Sequence, residues 1–427
     1  MLRKAPAVID PTLLDDLEWR GLIAHSTDLD ALRAALAEGS VRFYVGFDPT
    51  APSLHLGNLV QIVTARRLQL AGHTPYALVG GATGMIGDPR DSGERTLNSL
   101  ETVKDWVERV RRQIEPFLSF EGENAATMVN NYDWTENLST IDFLRDIGKH
   151  FPVNRMLGRE TVKRRLESGI SYTEFSYVLL QSMDFLNLYR DHGVTLQFGG
   201  SDQWGNLTGG VELIRRADQG HAHAFATPLI TKTDGSKYGK TEGGALWLDP
   251  EMLSPYAFFQ FWLNVEDEKI GELLRIFTFL SHEEIEDLEA QHAEKPFLRL
   301  GQKRLADEVT ALVHGRDETE QVKAASAALF GGGDLMGLSP DTLGAALREA
   351  GSARIDGELP SVVDLLVVTG LAKSKGEARR TVSEGGAYLN NQRVEDPEQV
   401  PTAADLIGGT WLVLRRGKKN FAGVEVG

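Results

Sequence analysis

One stretch limits the possible folds of this chain more than any other. It is the run VRFYVGF (Val41 to Phe47), then DPTAPS, a helical segment from about Gly57 to Ala71, and the apolar run PYALVGG. The first run is rich in β-branched and aromatic residues and predicts a strand. The two prolines of DPTAPS mark a turn. Leu59, Ile62, Val63 and Leu70 fall at helical spacing, and Gly72 predicts the helix stop. Strand, helix and strand in that order form a β-α-β unit, which implies α/β architecture with a parallel sheet and a right-handed crossover. Ligands of such sheets bind at the carboxyl ends of the strands, so chemistry is expected just after Phe47 and just after Val79.

The rest of the chain adds further units, as 427 residues imply. From about Asp249 to Phe330 the sequence reads mostly helical, with Phe297, Leu305, Val309 and Leu312 on one apolar face of a helix ending near Gly315. GGGDLMGLSP, from Gly331, reads as a linker. The last segment is α+β. Ser361 with Asp364, and Ser374 with Glu377, fit the capping pattern that opens a helix. AYLNNQRV predicts two short strands around Asn390 and Asn391, and TWLVLRR a final strand.

Composition narrows the function. A formal charge of −16 argues against wholesale, non-specific nucleic-acid binding. From Ala372 onward, however, nine Lys/Arg outweigh seven Asp/Glu, so a local basic surface is expected there. The absence of cysteine excludes disulfides, thiolate metal sites and a cysteine nucleophile. No apolar run is long enough for a membrane span, and none follows the first basic residues as in a secretory signal, so a cytoplasmic location is expected.

Two segments carry chemistry. In YVGFDPTAPSLHLGN, His55, Gly57 and Asn58 sit where a loop feeds a helix N-terminus, where free N–H groups and the helix dipole favour phosphate. In DGSKYGKTEGG, Lys237 and Lys240 are two cations on a Gly-rich loop able to close over a polyphosphate. A Walker A reading fails because the required first glycine is Asp234. Tyr177, Gln181 and Asp184 fall on one helix face. His221 and His223 form an HxH without a third ligand, so no protein-held metal is expected.

Read together, HLGN and KYGKT resemble the paired ATP-binding motifs of class I aminoacyl-tRNA synthetases. The longer segments LEWRGLI, GGATGMIGDP, ERTLN, NNYDW, YTEFSYVLLQSMDF and QFGGSDQWGN resemble the tyrosyl-tRNA synthetases, and the tail resembles the S4 RNA-binding domain. The resemblance covers nearly the whole chain, in order. It implies a Rossmann-like catalytic domain (1–248), a helical domain on the anticodon-arm side (249–330), a linker (331–358) and an S4-like domain (359–427). It also implies tyrosine, ATP and tRNA-Tyr as partners, Mg²⁺ carried with ATP, and a homodimer.

Site roles follow from the same resemblance. Tyr44 and Asp184 hold the phenolic hydroxyl of tyrosine, with Asn131 in the same pocket. Asp88, Tyr177 and Gln181 meet its ammonium, and Gln203 lies near its carboxylate. Gly46, Asp48, Gly57, Asn58, Gly200, Asp202 and Lys240 line the nucleotide cleft. Thr50 and His55 hold the leaving pyrophosphate, joined by Arg95, Lys237, Lys240 and Thr241 as the loop closes. Arg159, Arg215 and Arg216 meet the acceptor stem. In the tail, Lys373, Arg379, Arg380, Arg416 and Lys418 suit phosphate contacts.

Three departures stand out: Asn58 replaces a second histidine, Gln61 replaces a small residue, and the loop after Asp88 lacks a usual lysine, with Arg90 as the candidate replacement. Rival readings are a tryptophanyl-tRNA synthetase and a catalytically inactive RNA-binding relative.

Overall fold

The computed structural model describes residues 8–89, 93, 96–236, 238, 240–241, 244–329, 333–417 and 420–427; the side chains of 240, 241 and 244 are not described. The chain forms two compact units, Met1–Asp249 with Glu266–Glu289, and Pro250–Val265 with Ala290–Gly427. The segment expected as one helical domain (249–330) is thus divided between them.

The first unit is built on six strands: β1 (His25–Ser26), β2 (Arg42–Phe47), β3 (Thr74–Val79), β4 (Thr127–Asn130), β5 (Leu196–Gly200) and β6 (His223–Thr227). Their order is β1-β6-β5-β2-β3-β4, with only β1 antiparallel. The chain runs outward from β2 through β3 to β4, then returns to lay β5 on the other side of β2. The crevice between β2 and β5 is therefore the switch point, where ligands of such sheets bind. Strand β2 is the spine of this core. Phe43 and Tyr44 are at most 1% exposed, and Phe43 meets Phe198, which stacks on Phe225.

Helix α1 (Leu56–Leu70) covers one face and buries Leu59, Ile62 and Val63. At about 1.5–3 kcal/mol per fully buried large apolar side chain, these contacts fix its docking far more firmly than helix propensity does. It stops where expected. Gly72 takes φ +94°, its N–H donates to the Gln69 carbonyl and that of His73 to the Leu68 carbonyl, the paired bonds of a glycine-terminated helix. Helix α2 (Tyr172–His192) is opened by Ser171, whose hydroxyl accepts from the Glu174 N–H, and it packs on α3 (Trp204–Asp218).

In the second unit, helices Pro255–Leu263, Leu300–His314, Arg316–Leu329 and Pro340–Ala350 pack together. Beside them lies a sheet of order β11-β10-β12-β13-β9, built from β9 (Ser352–Ile355), β10 (Ala387–Leu389), β11 (Gln392–Arg393), β12 (Trp411–Arg416) and β13 (Asn420–Val426). Asn390 and Asn391 take φ of +48° and +64°, making the expected tight hairpin. Ser361 and Ser374 cap their helices as expected.

Three expectations are corrected. The stretch read as a linker (331–358) carries a full helix and β9, which pairs in parallel with β13. Trp411–Arg416 is not the final strand, because β13 follows it. Phe297 is 78% exposed and lies outside the helix it was assigned to, since Arg299 adopts φ +52° and breaks the chain direction just before Leu300.

Candidate active site

The carboxyl ends of β2, β3 and β5 gather most of the residues singled out. Tyr44 points into the core at 1% exposure, and its hydroxyl has no hydrogen-bond partner among the described residues. Asp184, 2% exposed, faces the same space from α2. Asn131 Nδ2 donates to its Oδ2 and Trp134 Nε1 to its Oδ1, each at 2.9 Å. Burial pushes the Asp184 carboxyl up to about 7, against the pull of those two donors. The same burial, reinforced by Asp184 and Asp48, drives the Tyr44 phenol well above its ordinary value. Such a pair presents an acceptor and a hydroxyl to any ligand that ends in O–H.

Asn131 is itself clamped. Its Oδ1 accepts from the Ala82 N–H at 2.7 Å and its Nδ2 donates to Thr83 Oγ1 at 2.9 Å. Thr83 donates at 2.6 Å to Asp48, whose other oxygen accepts from the Tyr177 hydroxyl at 2.6 Å. A single network thus joins Asp184 to Asp48 and Tyr177. Gly80 is where this network leaves no room for a side chain, because a Cβ there would fall 2.0 Å from Asp48 Oδ1. Thr83 and Trp134 lie inside the GGATGMIGDP and NNYDW segments, and neither has a role that the sequence alone reveals. Their contacts span 35 and 50 residues, which local pattern does not encode.

A second cluster lies where β5 ends. Gln203 Nε2 donates to Asp88 Oδ2 at 2.8 Å, and buried Asn206 donates to both Asp88 Oδ1 and Gln203 Oε1. On α2, the Gln181 Oε1 is buried and unpartnered among the described residues. Gly200 and exposed Asp202 form the adjoining turn, and Gly46 is an exposed position near the carboxyl end of β2.

The phosphate-binding candidate is the start of α1. His55 is its N-cap, with Nδ1 accepting from the Gly57 N–H at 3.1 Å; in the neutral ring this leaves Nε2–H as the ring's donor. Asn58 Oδ1 accepts from the His55 N–H at 3.0 Å, so the residue replacing a histidine works as a cap. Gln61 donates to Thr227 Oγ1 at 2.7 Å and so ties α1 to β6. Thr50 is exposed beside Asp48.

The Gly-rich loop is anchored next to His55. Leu56 N–H donates to the Leu246 carbonyl and Leu248 N–H to the Leu54 carbonyl. The small hairpin β7 (Lys240–Thr241) and β8 (Gly244–Ala245) leads directly into that pairing. Arg90, Arg95, Lys237 and Lys418 lie outside the described residues.

The basic residues fall in two groups. In the first unit, Arg155, Arg215 and Arg216 all pair with Glu212, whose carboxyl is held down at about 2, chiefly by Arg215. Arg159 lines the same cavity as Arg155, Glu212 and Arg216, but its guanidinium donates to Asn206. In the second unit Lys373, Arg379 and Arg380 are exposed, Arg379 pairs with Glu398, and Arg416 pairs with Glu377.

Residues 36–331 match the family described as tRNA synthetases class I (W and Y), and residues 343–424 match the tyrosine–tRNA ligase SYY-like C-terminal domain. A tyrosine–tRNA ligase of Streptomyces coelicolor is 64% identical over 417 residues, 97% of this chain and 99% of that one. One of Thermobifida fusca is 58% identical over 426 residues, with 96% and 99% covered. A C-terminally truncated mitochondrial tyrosyl-tRNA synthetase of Coccidioides posadasii superimposes with a TM-score of 0.64 at 31% identity, covering 73% of this chain and 90% of that one. The chain belongs to the tyrosine–tRNA ligase family of class I tRNA synthetases.

Proposed function

We propose that the cleft at the switch point carries out tyrosine–tRNA ligation in two steps. The tyrosine carboxylate attacks the α-phosphate of ATP in line and pyrophosphate leaves. A ribose hydroxyl at the 3′ end of tRNA-Tyr then attacks the mixed anhydride and releases AMP. The observation that carries this reading is buried Asp184, fixed by Asn131 and Trp134 beside the unpartnered hydroxyl of Tyr44. A phenol satisfies both groups. Phenylalanine leaves a buried carboxylate short of a partner, which costs on the order of 1–3 kcal/mol or more for a charged group. Tryptophan could donate its indole N–H to Asp184 but has no oxygen to accept from the Tyr44 hydroxyl, so the tryptophanyl alternative is disfavoured.

In this reading Asp88, Tyr177 and Gln181 receive the ammonium, Gln203 the carboxylate end, and Asp202, Asp48, Gly46 and Gly200 the ribose and base. His55 Nε2–H and Thr50 hold the pyrophosphate side, with Arg95, Lys237, Lys240 and Thr241 arriving on the loop. None of these steps needs a general base: positioning and neutralisation of the developing phosphate charge supply the catalysis. Mg²⁺ enters with ATP, bound largely by phosphate oxygens and water.

The exposed basic residues of the second unit, with Arg215 and Arg216 of the first, contact tRNA phosphates. Ile141, Leu144, Val153, Leu157, Leu166 and Tyr172 are all at least 39% exposed within one short stretch of chain, which supports a homodimer covering that surface. No described helix is long and apolar enough to cross a membrane, and a cytoplasmic location fits a partner of tRNA.

Amino-acid-dependent exchange of pyrophosphate into ATP tests the reading. Tyrosine alone should support exchange; dependence on tryptophan, or on no amino acid, would overturn it. Sedimentation equilibrium checks the dimer.

A further inference from the structure

Arg159 stands among the basic residues expected to meet tRNA, yet its side chain goes elsewhere. It directly precedes the helix Glu160–Leu166 and is half-buried. Its guanidinium lies flat on the backbone of Gly205, where a Cβ would come within 2.7 Å of Nη2 and 2.9 Å of Nε. Nη2 donates to Asn206 Oδ1. Burial lowers the Arg159 pKa, while nearby Asp88 raises it.

The direction of these hydrogen bonds matters. A carboxamide can present either end to a neighbour, and Asn206 and Gln203 sit side by side. Arginine, however, has only donors. Facing Arg159, Asn206 must turn its oxygen toward the guanidinium, so its Nδ2 faces Gln203 Oε1 at 2.7 Å and Asp88 Oδ1 at 3.1 Å. Gln203 is then forced to turn Nε2 toward Asp88 Oδ2, 2.8 Å away. Arg159, which only donates, and the Asp88 carboxylate, which only accepts, therefore fix the polarity of the two amides from opposite ends and leave both Asp88 oxygens held by donors.

We propose that Arg159 is a positioning residue for the amino-acid half of the site, acting through Asn206 to orient Gln203 and Asp88 toward the α-carboxylate and α-ammonium of tyrosine. The inference rests on the functional reading above. It gives Arg159 a partner, Asn206, different from that of Arg215 and Arg216, which pair with Glu212 although Arg159, Glu212 and Arg216 line one cavity.

The test is steady-state pyrophosphate exchange without tRNA, on the full chain, for Arg159→Met, Arg159→Lys, Asn206→Ala and the Arg159→Met/Asn206→Ala double variant. Arg159→Met should raise KM for tyrosine about tenfold, the scale of one lost charge-assisted hydrogen bond, with KM for ATP within about twofold. Arg159→Lys, which keeps a donor but not the planar fork, should fall in between, and the double variant should be no worse than Asn206→Ala alone. In aminoacylation at saturating tyrosine, KM for tRNA should stay near wild type for Arg159→Met.

An unchanged KM for tyrosine combined with a raised KM for tRNA would overturn the inference, as would strictly additive effects in the double variant. If Arg159→Met does not fold, Arg159→Lys and Asn206→Ala decide by the same KM split. Absence of tyrosine-dependent exchange in the wild-type protein would instead overturn the functional reading, and the inference with it.

Discussion

Selection of tyrosine over phenylalanine should depend on pH through Asp184. Its carboxyl is pushed up to about 7 by burial, with Asn131 and Trp134 supplying the only donors described. Above about pH 7 the group is a carboxylate that needs the phenolic proton. Below it the group is a neutral acid, and leaving it unpaired costs less. At about pH 6 only about one tenth of the sites stay ionised, so roughly 1.4 kcal/mol of discrimination, a tenfold change, is lost relative to about pH 8. The ratio of kcat/KM for tyrosine to that for phenylalanine, followed by pyrophosphate exchange from about pH 8.5 to about pH 5.5, reads this directly, because titrations shared by both substrates cancel. Asp184→Asn should give a low, flat ratio. A wild-type ratio that stays flat, or grows as pH falls, would refute an Asp184 titrating near neutrality as the reader of the phenol.

Other expectations are simpler. Gly80→Ala places a Cβ 2.0 Å from Asp48 Oδ1 and 2.3 Å from Thr83 Oγ1, so thermal unfolding should show a loss of about 1–3 kcal/mol and exchange should slow at least tenfold. Asn58→Ala removes the acceptor for the His55 N–H and should destabilise by about 0.5–1.5 kcal/mol in chemical denaturation, while Asn58→Asp, which keeps the acceptor, should not. Arg216→Ala should leave tRNA-free exchange unchanged but weaken tRNA binding, with the slope of log affinity against log salt falling by about one unit; an unchanged slope would remove Arg216 from the phosphate contacts.

Much of this molecule was legible because it is encoded over short spans of chain. The β2-α1-β3 unit follows from periodicities of two and 3.6, and its carboxyl-end chemistry from the parallel pairing those periods require. Gly72 ends α1, Ser361 and Ser374 open their helices, and Asn390–Asn391 turn the hairpin, because each acts on backbone atoms within a few residues. Tyr177 and Asp184 share a helix face for the same reason. Strands β9 and β13 escaped: they pair with each other across some seventy residues, and SARI has no apolar face of its own to announce a strand.

What tertiary structure alone decided is which distant groups share low-dielectric space. Trp134 and Asn131 meet Asp184 across 50 and 53 residues, and only that burial moves an ordinary carboxyl to neutrality. Arg159 reads in sequence as one more surface cation, yet packing against Gly205 turns it inward to Asn206. Sequence fixes which side chains are available and the local direction of the backbone. The work of a charged or polar group depends on its solvent exposure and on the partner that reaches it, and both are set only once the chain has folded.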